Sequence, residues 1–434
     1  MSKKILLYAG YLYDGDELKE HVTIEIQNGK IKGIHNGFIE DDDAYIEDKR
    51  EHFVFPAFVN THTHSAMTGM RGLADDLPLM DWLNKYIFPV ELKLVNREFI
   101  NTFFPLALVE MIHSGISTFA DMYFFQDEAA KWVKKAGMRA VLAEGVIDFG
   151  TPNKKEVKEQ LAYTEDFIKN YKGDEHVIPS VGPHAPYTCS PELLKKSWDI
   201  AEKYDVPYLI HVSETQDEVD IIKKRYGMRP VEHLNNLGVL GKRVVSAHSV
   251  HLNEREMAIF KEKGVAVSHN PQSNMKLASG IAPIKKYLDM GILVSLGTDG
   301  AASNNNLDFI DELRTASLLQ KVSLSDPTAL SAKECLKMGT EEGAKALGLV
   351  DVGKIKEGYV ADIAVLDLSS ASLTPVYNPI SHLVYAASAH DIDTLIVMGE
   401  VIMENKKIKT LDEEEIKEKA RKYSKKIKDL INEG

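Results

Sequence analysis

Cysteine is nearly absent from the 434 residues: Cys189 and Cys335 are the only two. They can build neither a disulfide framework nor a cysteine-based zinc site, and they suit a reducing compartment. Long apolar runs are missing as well; no stretch reaches the roughly 18 residues that a membrane span needs. Lys3 and Lys4 precede a short apolar run, Ile5 to Tyr8, but Asp14 and Asp16 follow too soon for a signal peptide and no small-residue cleavage site appears. Positive charge is in deficit, with 52 Lys and Arg against 65 Asp and Glu and a net −13. Such a surface disfavours phosphate backbones, which are bound by cations that displace counterions, and anionic membranes for the same reason. No repeat of 20–50 residues and no low-complexity tract is present. The expectation is a soluble, cytoplasmic protein with no nucleic-acid or membrane partner; a homo-oligomer is left open.

What is present is an ordinary globular balance, 44% apolar and 27% charged, with ample material for a large core. Residues 1–53 read as short strands: Val22–Ile26 alternates, Asn28-Gly29 is a hairpin signal, and Lys30–Ile34 alternates back. From Val54 the texture changes to short apolar runs separated by helical stretches such as Glu192–Lys203. Eight runs can be counted: Val54–Asn60, Ser117–Asp121, Arg139–Val146, Val177–Val181, Pro207–His211, Val244–Ala247, Val265–Ser268 and Ile292–Leu296. Eight continuous apolar strands alternating with helices imply an α/β fold, a (β/α)8 TIM barrel over 54–349. Strand texture returns over 350–405, in Tyr359–Leu368 and Asp393–Met403 with Gly399-Glu400 as a turn. Both chain ends are therefore expected to form one small β-sandwich domain, with the barrel inserted. Over 406–434, Ile416, Ala420, Tyr423, Ile427 and Leu430 recur every three or four residues, an amphipathic helix docking on the body.

Histidines mark the strand ends. His62 and His64 close the first run two residues apart, so in a strand they share a face. They would converge at the C-terminal mouth of the barrel, where barrel active sites lie. Alone, this pair reads equally well as structural. The same end of other strands carries His211, His248 and Asp299, and a chance placement of satisfied core histidines explains that set poorly. Imidazole is a common ligand for zinc and related metals. The separation of His64 from His211 excludes a local zinc finger, whose ligands lie close in sequence. Glu214, three residues beyond His211, falls in the loop past the strand, where a carboxylate can shuttle protons without ligating; the bland alternative is a solvated loop residue.

The segments Pro56–His64, Gly182–Tyr187, His211–Glu214, Ala247–His251, Ser268–Asn274 and Gly297–Asn305 resemble the amidohydrolase superfamily. More narrowly, they are similar to its 5-methylthioadenosine/S-adenosylhomocysteine deaminases, and the likeness continues through Gly353–Gly358 and Ala361-Asp362. The resemblance implies that His62, His64, His211 and Asp299 hold a metal. The fourth strand has no lysine to bridge two ions, so one divalent metal per chain is expected, zinc first, with iron or manganese also suited to such ligands. It further implies that a metal-activated water attacks C6 of an adenine ring. Glu214 would protonate N1 and pass a proton to the departing ammonia, and His248 would orient the water, with Asp299 accepting a hydrogen bond from it. The cytidine-deaminase signature is absent. Trp82 would pack on the substrate, Glu91 would accept the ribose hydroxyls, and His184 would contact the nucleoside. His251, His269 and Asn304 are second-rank candidates, and His113 reads as structural.

Within that likeness, members that take S-adenosylhomocysteine carry arginines near strand three, where this chain has Ala143-Glu144-Gly145. Arg139 lies at the other end of the strand, and the loop offers only Lys154 and Lys155. A carboxylate tail facing Glu144 without a partner is costly, so adenosines without a charged tail are the expected small-molecule partners. Rival readings keep the metal site but take guanine, cytosine or a triazine, or hydrolyse a cyclic amide or imidazolone; a non-catalytic barrel serving in assembly is a third.

Overall fold

The structure, a computed structural model, describes residues 4–432, with side chains through Lys428. Lys3 and the Leu430 side chain lie outside the described residues. Two eight-stranded sheets organise the chain. The first four strands, β1 (Ile5–Tyr13), β2 (Leu18–Gln27), β3 (Lys30–Asn36) and β4 (Tyr45–Pro56), belong to the sheet of the chain ends. The next eight close the barrel: β5 (Phe58–Thr63), β6 (Ile116–Tyr123), β7 (Arg139–Val146), β8 (Val177–Pro183), β9 (Tyr208–Val212), β10 (Val244–His248), β11 (Ala266–His269) and β12 (Val294–Leu296). The end sheet resumes with β13 (Ile363–Asp367), β14 (Ile392–Val397), β15 (Glu400–Glu404) and β16 (Lys407–Ile408).

In the barrel all neighbours run parallel in chain order from β5 to β12, and the β5–β6 ladder shifts register after Phe58 and again between Asn60 and Thr63. Polar contacts bind β12 back to β5. The Thr61 hydroxyl donates to the Leu296 carbonyl at 2.9 Å, and the Asp299 N–H donates to the His62 carbonyl at 2.9 Å. Strands β6 and β7 are buried at every residue, as strands covered on both faces must be, which is why they read as unbroken apolar runs rather than as alternation. One expected run is corrected: Val54–Asn60 is two elements. Val54 to Pro56 ends β4, where proline has no N–H to extend the ladder, and the barrel starts at Phe58.

The end sheet has the order β16-β15-β14-β13-β4-β1-β2-β3. Strand β13 pairs antiparallel with β4, so the two chain ends meet there. The expected hairpin at Asn28-Gly29 forms, both residues at positive φ as a tight two-residue turn demands. The second hairpin turns at Met398-Gly399. A Cβ on Gly399 would sit 2.6 Å from the Gly29 Cα, so only glycine lets the two turns pack. Ile24, Ile26 and Ile31 share one buried cluster with Ile363, Val365 and Ile396, and the sheet thereby curls over its own core. The C-terminal helix, Glu413–Asn432, buries Ile416, Ala420 and Ile427, with Tyr423 against Phe99 and Phe103. His113 pairs with Glu413 at 2.9 Å and tethers that helix. No described helix is long and apolar enough to cross a membrane.

Candidate active site

The connection after β5 is the longest of the barrel and lies over its C-terminal mouth. It runs through a 3-10 turn, Ser65–Met70, a π-helical turn, Trp82–Ile87, and a helix, Phe88–Leu94. Beneath it a pocket of about 860 Å³, counted to its open mouth, is lined by His64, His211, His248, Asp299 and Glu214 on one side and by Trp82 and Glu91 on the other.

At the floor, ligand-type atoms of His62, His64 and His211 lie within 4.8 Å of one another, as do those of His62, His248 and Asp299. The Asp299 Oδ1 stands 3.4 Å from both His62 Nε2 and His64 Nε2. The outer nitrogens of two rings are fixed by carbonyls: His64 Nδ1 donates to Met122 O at 2.5 Å, and His211 Nδ1 donates to His184 O at 2.6 Å. With Nδ1 so engaged, each ring turns its Nε2 inward, and the two Nε2 atoms face each other at 3.2 Å. Lone pairs at that distance repel unless a cation lies between them. The buried His62 Nε2 has no hydrogen-bond partner among the described residues. Burial pushes the His62 imidazole down to about 4 and that of His211 well below its ordinary value, which keeps both uncharged. Burial works to raise Asp299, but His62, His248 and His64 hold it well below the usual carboxylate range. Three imidazoles and one carboxylate fit a divalent metal.

Beside the cluster, His248 Nδ1 meets Asn274 Oδ1 at 2.8 Å, so its Nε2 points at the Glu214 carboxylate, 3.8 Å away, and at Asp299 Oδ2, 3.9 Å away. Burial raises the pKa of Glu214, which favours a carboxyl that can carry a proton. The Glu218 carboxylate accepts the Ser213 and Glu214 N–H groups at 2.8 and 2.9 Å and fixes the turn from which Glu214 projects. His184 follows β8, with its ring 4.8 Å from that of His211 and its Nδ1 2.9 Å from the Thr188 hydroxyl. Trp82 is buried in the pocket wall, and its Nε1–H has no partner among the described residues. Glu91 is 4% exposed. Burial pushes its carboxyl up to about 8, with the Tyr123 hydroxyl working against the shift.

The pocket thus gathers His64, His211, His248, Asp299, Glu214, Trp82, Glu91 and His184, with His62 directly behind. His251, His269 and Asn304 do not line it. His251 bonds the Ser279 carbonyl, and Asn304 bonds Thr298 O and Glu312. Glu144 is corrected. Its carboxylate turns away from the pocket and accepts from Phe125 N, Gln126 N and, at 2.6 Å, Asn153 Nδ2. Several participants carried no signal of their own in the sequence. Asn274 lay inside a quoted segment, but Tyr123, Phe88 and Phe149 reach the pocket only through tertiary folding.

Residues 53–402 match the amidohydrolase family. The chain belongs to that family. The family is metal-dependent, and this member is a hydrolytic aminohydrolase by its relatives. The chain is 47% identical over 376 residues to a 5-methylthioadenosine/S-adenosylhomocysteine deaminase of Syntrophobacter fumaroxidans, covering 86% of each chain. It is 46% identical over 400 residues to a 5'-deoxyadenosine deaminase of Methanothermobacter thermautotrophicus, covering 92% and 93%. Among solved structures, an adenosine deaminase from Xanthomonas campestris with bound zinc superposes with a TM-score of 0.95 at 33% identity, covering 98% and 99%.

Proposed function

We propose that this amidohydrolase removes the 6-amino group of adenosine-type nucleosides (5'-methylthioadenosine, S-adenosylhomocysteine, 5'-deoxyadenosine or adenosine), giving the inosine analogue and ammonia. The observation that carries the reading is the Glu214–His248 pair facing the four-residue cluster at the floor of a pocket that also holds Glu91. The names of the relatives support the substrate class. His62, His64, His211 and Asp299 would hold one divalent metal, with zinc favoured by the bound ion of the Xanthomonas relative. No lysine stands on β8 to bridge a second ion. When bound, that metal makes a water acidic enough to attack near neutral pH.

The remaining work falls to side chains. Glu214 gives its proton to N1 of the purine, which draws electrons from C6. His248, oriented by Asn274, positions the attacking water and stabilises negative charge on the oxygen that adds to C6. The water oxygen bonds to C6, one water proton passes through Glu214 to the amino group, and the C6–N bond breaks as ammonia leaves; the second water proton, lost from the C6 hydroxyl as the carbonyl forms, restores the Glu214 carboxyl. Asp299 would accept a hydrogen bond from the water; its carboxylate is set by the Ser273 and Ser303 hydroxyls, 2.6 and 3.0 Å from Oδ2, and by the Gly300 N–H, 2.7 Å from Oδ1. Glu91 receives the ribose hydroxyls, Trp82 packs on the nucleoside and offers its indole N–H, and His184 contacts the sugar side. Glu91 favours a nucleoside over a free base such as guanine or a triazine, which has no diol to present.

Ammonia release and the ultraviolet change of adenine to hypoxanthine, followed on the four nucleosides with and without zinc, test the proposal. Turnover is expected, and Glu214→Gln should lower kcat by about 10²–10⁴-fold while elemental analysis still finds about one metal per chain. Silence on all four with metal bound would overturn the nucleoside assignment, and two metal equivalents would overturn the single-ion site.

A further inference from the structure

The pocket changes character between floor and mouth. Histidines, Asp299 and Glu214 form the floor, whereas the lining residues that reach solvent include Phe88, Leu92, Phe149 and Pro152. Leu92 and Phe149 are each 54% exposed and mark the solvent edge. The Phe149 ring meets Phe88 edge-on, with centroids 5.2 Å apart, and Phe88 reaches inward to His184 at 5.7 Å. An aromatic pair thus runs from the rim to the histidine beside His211. Among the described residues no lysine or arginine lines the pocket, and its carboxyl groups are those of Glu91, Glu214 and Asp299. Lys154 and Lys155, on the loop after β7, stay outside it.

We infer that Phe88 and Phe149 are specificity-determining residues, selecting an adenosine whose 5' substituent is short and uncharged. The inference rests on the nucleoside reading of the site. With C6 at the Glu214–His248 floor and the ribose diol at Glu91, the 5' carbon is directed to the mouth. An amino-acid tail placed there loses water around its carboxylate and finds no cation in the lining. A methyl or methylthio group gains apolar area, and sulfur against aromatic rings gains further. Glu144 supports this wall indirectly. It seats Asn153, whose Oδ1 accepts the Thr151 hydroxyl at 2.8 Å, and these contacts hold the loop carrying Phe149 and Pro152. Glu144 and Asn153 are therefore positioning residues for the aromatic wall.

The test is kcat/KM for the four nucleosides with metal-loaded enzyme, paired with inhibition constants for 5'-methylthioinosine and S-inosylhomocysteine, which report the tail contact without turnover. 5'-Methylthioadenosine and 5'-deoxyadenosine should exceed S-adenosylhomocysteine by tenfold or more, and the two inosines should rank alike. Phe149 is exposed, so its replacement leaves the fold intact. Phe149→Arg should move the ratio tenfold or more toward S-adenosylhomocysteine. Asn153→Ala should lower the ratio of 5'-methylthioadenosine to adenosine through KM rather than kcat. S-adenosylhomocysteine leading in the unaltered enzyme, or a ratio that Phe149→Arg leaves in place, would overturn the inference alone. No ammonia from any nucleoside would overturn the deaminase reading and this inference together.

Discussion

A carboxylic acid at 4% exposure is an expensive residue, and Glu91 is one, with no charged partner among the described residues. In the unfolded chain its pKa is about 4.3, whereas in the pocket burial pushes it up to about 8. The folded state therefore holds the proton longer than the unfolded state does. Stability conferred at low pH is lost as pH rises from the unfolded value through about 8, because over that window folding must either keep a proton or bury a charge. Glu91→Gln has no such dependence. Its melting temperature should match the parent at about pH 4 and pull ahead as pH approaches 8, by a margin on the order of 4 kcal/mol in stability. Thermal melts of both proteins at four pH values check this, and a margin that shrinks with pH would mean the free carboxyl is already ionised. The same substitution should raise KM for ribosides, since it replaces one carboxyl oxygen facing the diol by an amide nitrogen that cannot accept.

At the scale of elements, the site is made by how strands end. Ser213 after β9, His248 and Ser249 at the end of β10, and Asp299 after β12 all have φ between 50° and 66°. Side chains other than glycine rarely adopt that region, and such residues gather where a site over-determines its backbone. The left-handed corner at His248 turns its ring toward Glu214, and Asn274, on the short helix Pro271–Lys276, locks it there. Asn274→Ala should therefore lower kcat by about tenfold or more, with KM little changed and metal content unaltered, as measured by steady-state kinetics and elemental analysis. The strands themselves were legible, because burial on both faces leaves continuous apolar runs, and a histidine or aspartate at the end of such a run is conspicuous. Corner conformation was not legible, since Ser213 and Ser249 carry no signal that φ is positive. Nor was the direction of Glu144, at a strand end where either face was open, or the Phe88–Phe149 wall, whose two rings belong to different connections. Val54–Asn60 was misread as one strand because both sheets bury that stretch.

At the scale of the molecule, barrel and end sheet are joined by a buried charge pair. Arg139 opens β7 at the end of the barrel away from the site, and its guanidinium meets Asp362 Oδ2 at 2.5 Å, with side-chain exposures of 6% and 1%. Asp362 Oδ1 also accepts the Met398 N–H at 2.8 Å, beside the turn of the second hairpin, and Arg139 bonds the Thr118 hydroxyl on β6 at 3.0 Å. One ion pair thus links two barrel strands to the sheet made from both chain ends. A buried pair adds little net stability, because desolvation offsets attraction, but removing one partner strands the other charge at a cost of about 3–5 kcal/mol. Arg139→Met should accordingly lower the melting temperature sharply, and Arg139→Met with Asp362→Asn should recover part of the loss. If the end sheet and barrel unfold as one unit, the single variant will still melt in one transition, only earlier. A second, lower transition in calorimetry of Arg139→Met would show instead that the pair is what couples them.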